Sequence, residues 1–195
     1  IVAGGSLAGP QDELDVPDGG AATGFIRWNE DAGFTWEGGT SSAWDLAANW
    51  NDLSGDADGI PDADDIIYIQ AGSSFVPIIG AGENFSVARV TVRSGGNLTF
   101  QSDGQLSVAG NFTIFSGCTV DMTDNTSSRL NVAGVLANAG TFNEGPATVT
   151  FNGTSGTHSI TTLGNGDPFY NLTIDGAGAT YTMGSITTVS NSFTL

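Results

Sequence analysis

Between Val90 and Gly176 apolar and polar residues alternate in short runs, and one word keeps returning: apolar, small polar, apolar, then Gly within two residues. It reads Leu106-Ser-Val-Ala-Gly110, Leu130-Asn-Val-Ala-Gly134, Val149-Thr-Phe-Asn-Gly153 and Leu172-Thr-Ile-Asp-Gly176, with Val90-Thr-Val-Arg-Ser-Gly95 as a looser copy. Successive glycines lie 15, 24, 19 and 23 residues apart. A period of two predicts a three-residue strand in each copy, closed by a glycine free to take φ > 0. So short a unit cannot bury its apolar face alone and must stack on its neighbours. Repeats of uneven length suit a parallel β-solenoid, whose turns absorb insertions. The expected fold class is therefore all-β, a parallel β-helix.

The flanking segments fit that frame. Residues 1–24 are rich in Gly, Ala and Pro and read as a flexible arm or linker. Residues 25–65 read as a Trp-rich cap with an acidic loop, and 66–195 as the solenoid. Phe25-Ile-Arg-Trp28 and Phe34-Thr-Trp36 are expected as short strands around a turn at Asn29 to Gly33. Ala43 to Trp50 is the best helical candidate, and it is short. Trp36, Trp44 and Trp50 are expected to plug the open end of a solenoid core rather than to form a sugar-stacking platform. Ile66–Gln70 and Phe75–Ile79 read as strands, with Pro77 placing the second at an edge or corner. Val87–Val92 and Leu98–Phe100 open the coils. The last apolar words, Ile186–Val189 and Ser192–Leu195, carry no capping element, so the end is expected to meet more of the same chain or another subunit.

Charge narrows the partners. The chain has no lysine, four arginines and 21 acids, a net charge of -17. That excludes nucleic acid, whose phosphates need clustered Lys and Arg, and docking on anionic lipid. It suits solubility or cation binding. No apolar run is long enough to span a membrane. Cys118 is the only cysteine, so no intrachain disulfide forms; its alternating run, Cys118-Thr-Val120-Asp-Met122, predicts a buried strand residue.

The chemistry-bearing candidate is the acidic segment. Ser54, Asp56, Asp58, Ile60 (through its carbonyl), Asp62 and Asp65 stand at the 1, 3, 5, 7, 9 and 12 spacing of a calcium loop, with Gly59 at the sharp turn. Asp52 is expected to substitute as an outer ligand. Position 1 is Ser instead of Asp, and position 12 is Asp instead of the bidentate Glu. Six carboxylates from Asp52 to Asp65 without a nearby cation are expected to order around a metal, so calcium is the expected cofactor. No catalytic residue is expected. His158 is the single histidine and reads as a strand or turn residue, and no Gly-x-Ser-x-Gly elbow is present. Six Asn-x-Ser/Thr sequences begin at Asn84, Asn97, Asn111, Asn125, Asn152 and Asn171, and read as Asn stacked at solenoid turns before they read as glycosylation sites.

Several of these motifs together carry a resemblance: Thr35-Trp36 through Trp44 to Asn49-Trp50, then Pro61-Asp-Ala-Asp64-Asp65-Ile-Ile-Tyr-Ile69, Gly96-Asn-Leu98-Thr-Phe100, Leu106–Asn111 and Phe169-Tyr-Asn171-Leu172-Thr-Ile174. Over roughly residues 34–176 the chain resembles the repetitive β-helical surface and adhesin-like proteins of Bacteroidetes-type bacteria, often exported by type IX secretion. The resemblance implies a right-handed parallel β-helix, an extracellular or cell-surface location, and a structural or adhesive role without catalysis. The expected function is then a non-enzymatic solenoid module, self-associating as a filament subunit or part of a longer chain. The alternative is a carbohydrate-active or glycan-binding β-helix.

Overall fold

The computed structural model describes residues 33–123, 127–162, 169–185 and 187–195. The expected arm over 1–24 and the strand expected at Phe25–Trp28 lie outside the described residues. The chain opens with β1 (Phe34–Trp36), β2 (Trp50–Asp52), β3 (Ile66–Ile69), β4 (Ile78–Ile79), β5 (Asn84–Val87) and β6 (Arg89–Val92). It continues through β7 (Asn97–Phe100), β8 (Gln105–Val108), β9 (Phe112–Ile114), β10 (Thr119–Asp121), β11 (Arg129–Val132) and β12 (Leu136–Asn138). The last elements are β13 (Thr141–Asn143), β14 (Thr148–Phe151), β15 (Thr157–Thr162), β16 (Phe169–Ile174), β17 (Thr180–Met183) and β18 (Val189–Thr194).

These strands wind into three sheets. The first runs β17-β15-β12-β9-β6-β3-β1-β2, the second β13-β10-β7-β4, and the third β18-β16-β14-β11-β8-β5. Every pairing is parallel except β1 with β2. The result is a parallel β-solenoid of about five turns, nearly all β, as the alternation predicts.

Register follows the apolar period, because a one-residue slip would turn each strand's apolar set to solvent. Ile67, Val90, Phe112, Leu136, Ile160 and Met183 form one column of the first sheet, 23, 22, 24, 24 and 23 residues apart. Leu106, Leu130, Val149 and Leu172, the first apolar residues of the four close copies, stack in the third sheet, with Phe85 before them. Leu98, Val120 and Phe142 fill the second. Nearly all these side chains are buried in one continuous core. The looser copy at Val90 belongs to the first sheet, so it is a different rung of the coil from the other four.

The glycines of the repeat act differently from the expectation. Gly95 has φ of 79°, but Gly110, Gly134, Gly153 and Gly176 are absent from the left-handed region. They are required for close approach. A Cβ on Gly134 would lie 2.6 Å from the Gly110 carbonyl, and one on Gly176 2.6 Å from the Gly153 carbonyl. The coils touch backbone to backbone at this corner, so any side chain would push them apart. Left-handed glycines instead turn the corner after the first sheet, at Gly72, Gly95 and Gly117.

Two other expectations shrink. The strand expected at Phe75–Ile79 reduces to β4, an edge strand, since Pro77 has no N–H to give and serves only as an acceptor, for the Thr99 N–H at 3.1 Å. The helical candidate at Ala43 to Trp50 yields one 3-10 turn over Ala47–Asn49. Asn49 stops it by spending its side chain elsewhere: Oδ1 accepts the N–H groups of Thr40 and Ser41, and Nδ2 donates to the Ser41 hydroxyl and the Ala43 carbonyl.

Those four bonds organise the cap. Trp36, Trp44 and Trp50 are all buried, with the Trp50 ring edge-on to Trp36 and Trp44 at 4.8 Å from each and to Phe34 at 6.1 Å. Trp44 stacks on Phe85 of the first complete coil at 5.7 Å. Trp50 Nε1 donates to the Trp44 carbonyl and Trp36 Nε1 to the Phe75 carbonyl. The Trp-rich N-terminal cap is thus a core plug, and the faces of these three rings are closed to a sugar. Trp28 lies outside the described residues.

Candidate functional site

The acidic loop leaves the cap at β2 and delivers the chain to β3. Its entry is an Asx turn: Asp52 Oδ1 accepts the Ser54 N–H at 2.7 Å, the Ser54 hydroxyl at 2.6 Å and the Gly55 N–H at 3.0 Å. Burial raises the Asp52 pKa, but these hydrogen bonds outweigh it and hold the carboxyl below its ordinary value. Asp52 and Ser54 therefore serve each other. Gly59 takes φ of 69°, the sharp turn that position six of a calcium loop needs, and Asp58 Oδ1 accepts the Ile60 N–H at 2.9 Å. That bond keeps Asp58 below the ordinary carboxyl range.

The far end is a tight turn. Asp65 Oδ2 accepts the Asp62 N–H at 2.7 Å, and the Asp65 N–H returns to the Asp62 carbonyl at 3.2 Å. The Asp65 carbonyl accepts from Ala88 and Arg89 of the next coil at 2.8 and 3.3 Å. Asp65 is only 8% exposed, and this burial, joined by the charges of Asp62, Asp56 and Asp64, pushes its carboxyl up. Asp62 is raised too, through its contact with the Asp64 side chain and the nearby charges of Asp64 and Asp58. Asp56 Oδ2 is buried without a hydrogen-bond partner among the described residues.

The sequence-predicted ligands thus divide. Asp56, Asp58, Asp62 and Asp65 lie close enough to repel one another, together with Asp64, which the spacing left out of the ligand set. Asp52 and Ser54 are tied to each other at the loop's entry. Among the described residues no three His, Cys, Asp or Glu side chains stand together as a ready metal-holding group. The carboxylate donor set suits a hard cation such as calcium, and the loop's exposed carboxylates would have to turn inward to hold it.

Sequence reasoning missed two anchors. Asn49 holds the cap, and only its place beside Trp50 marked it. Asp65 serves as a coil-to-coil tie, which no ligand spacing reveals. Cys118 is buried in the core, as read from its run, though it sits just before β10. His158 lies in β15; its Nε2 meets the Ser155 carbonyl at 2.8 Å and its ring packs on Tyr181. Asn111 and Asn171 do bridge coils, Asn111 by accepting the Val135 N–H and Asn171 by donating to the Ala147 carbonyl; Asn84, Asn97 and Asn152 are exposed, and Asn125 lies outside the described residues.

Fold and loop together define a parallel β-solenoid with an aromatic plug at its N-terminal end. Residues 35–152, from β1 to the residue after β14, match the model of a family described as a domain of unknown function, DUF8693, and the chain belongs to that family. No curated protein and no solved structure matches the chain. No helix among the described residues is long and apolar enough to cross a membrane.

Proposed function

We propose that this chain is a non-catalytic structural or adhesive solenoid module, working outside the cell or at its surface, with an acidic loop that takes calcium. The observation that carries the reading is the outer face of the third sheet. Ser86, Ser107, Asn131, Thr150, Thr173 and Thr194 form one outward column, and Asn84, Gln105, Arg129, Thr148, Asn171 and Ser192 form its neighbour. Side chains within these columns bond from coil to coil, Asn131 to Ser107 at 3.1 Å. Polar residues, mostly short, repeated on successive rungs make a continuous wall, which suits surface contact more than the convergent pocket that catalysis requires. The extracellular placement is supported by the surface-protein resemblance and the strong negative charge.

The calcium reading is supported by the 1-3-5-6-7-9-12 spacing, the left-handed Gly59 and the unpartnered Asp56 oxygen. Its test is a melting experiment in millimolar calcium against chelator. A cation bound only by the folded state adds about 2.7 kcal/mol at one hundred times its Kd. A raised melting temperature is expected; identical curves would remove calcium from the proposal and leave the module.

A second reading, a glycan-binding β-helix, draws on the same amide and hydroxyl columns. A glycan array and a cleavage panel distinguish the three outcomes: no binding supports the structural role, binding without cleavage the second reading, and cleavage an enzyme.

A further inference from the structure

The interior of the first sheet changes character partway along. Its second inward column runs Ile69, Val92, Ile114, Asn138 and Thr162, so three aliphatic rungs are followed by two polar ones. Asn138 is 2% exposed and Thr162 3%. Asn138 Oδ1 accepts the Gly140 N–H at 2.9 Å, which closes the corner into β13. Its Nδ2 has no hydrogen-bond partner among the described residues. On the next rung the Thr162 N–H donates to Ser185 Oγ at 2.9 Å, and the two hydroxyl oxygens lie 3.0 Å apart.

Counting hydrogens shows what is missing. The Asn138 amide carries two donor hydrogens, both uncommitted. Thr162 and Ser185 share one hydroxyl hydrogen between them, which leaves the other, among the described residues, free to donate. The locus has donors in surplus, so its missing partner must bring lone pairs. A buried amide left unpaired costs about 1–3 kcal/mol. Buried polar atoms that cannot reach each other directly are commonly joined by a water making about three hydrogen bonds.

We propose that the solenoid core holds one structural water between the Asn138 amide and the Thr162–Ser185 hydroxyl pair, accepting from both and giving its own hydrogens to the second lone pairs of backbone carbonyls. The site is independent of the functional reading above. It explains why an asparagine occupies a position that is isoleucine or valine on the rungs before it: with its water, the amide links adjacent coils where this one column turns from aliphatic to polar.

Diffraction from the unmodified protein tests this directly. An ordered water oxygen is expected at hydrogen-bond distance from Asn138 Nδ2, roughly 2.7–3.2 Å, and from one of the two hydroxyls. The amide donating straight to a protein carbonyl, a chloride in that place, or no density there would each overturn the proposal. A double-mutant cycle in solution gives a second test. Asn138→Leu and the paired Thr162→Val with Ser185→Ala should be non-additive in urea midpoint, the second change shifting it less than half as far once the first is present, because each removes one side of the bridge. Additive shifts would overturn it.

Discussion

At the scale of single residues, two contrasts decide what holds the fold. Asn49 is fully buried with all four side-chain bonding positions used. Asn49→Ala strands the N–H groups of Thr40 and Ser41 and the Ala43 carbonyl inside the cap, at an expected cost of about 2–4 kcal/mol by chemical denaturation, given the penalty for each buried group left unpaired. A loss under about 1 kcal/mol would mean water reaches these groups and the cap is looser than described. The corner glycines give the second contrast. Gly134→Ala drives a methyl against the Gly110 backbone and is expected to cost about 1–3 kcal/mol, as overpacked sites do. Gly39→Ala, where a Cβ meets nothing within 4 Å and the backbone is not left-handed, is expected to be neutral within about 0.5 kcal/mol. Equal effects would show that contact with the coil beneath does not select Gly134.

At the scale of elements, the strands were legible in the sequence and the corners were not. Alternation placed the four close copies on one sheet because period two is a backbone property that burial enforces. It could not say that Val90 lies on another sheet, since one coil has three strands with the same pattern and only turn lengths separate them. It assigned the glycines to φ > 0 because backbone freedom is a local property, whereas contact with the coil beneath is not. The ligand spacing found the acidic loop but not the role of Asp65, whose carboxylate closes a turn. That role makes a pH prediction. Asp62 and Asp65 sit above the ordinary carboxyl value of 3.8, so the folded chain holds their protons more tightly than the unfolded chain. Their contribution favours folding below 3.8 and is lost as pH rises through their folded values. Asp52 and Asp58 sit below 3.8 and act oppositely: their stability is present above it and is lost as pH falls through their folded values. Asp65→Asn isolates one member, because the new amide oxygen still accepts the Asp62 N–H. In chelator at pH 7 the variant is expected to be as stable as the parent or more so, and near pH 3 the difference should vanish, measured by urea midpoints. A variant much weaker at pH 7 would show that the Asp65 charge itself supports the turn.

At the scale of the whole molecule, the two ends of the solenoid differ in kind. Among the described residues, the first sheet finishes at its N-terminal end in β2, three residues long and antiparallel, with the acidic loop following it. At the other end the outermost strands are β17 and β18, with Met183, Phe193 and Leu195 exposed. An edge strand with apolar side chains recruits further strands, and charge beside an edge discourages them. For residues 1–195 alone, copies that associate through their sheets are therefore expected to meet at β18 and not at β2. Such contact is two-fold and closes on itself, giving dimers and not the open filament that the repeats bring to mind. In a longer chain, further coils would take the same edge. Each copy carries a net charge of -17, so repulsion opposes dimerisation and salt should strengthen it. Light scattering across protein and salt concentration is expected to show a monomer–dimer equilibrium that shifts toward dimer with salt and is abolished by Phe193→Asp. Fibres in electron micrographs would defeat the closed contact, and a monomer at every salt and protein concentration would defeat self-association itself.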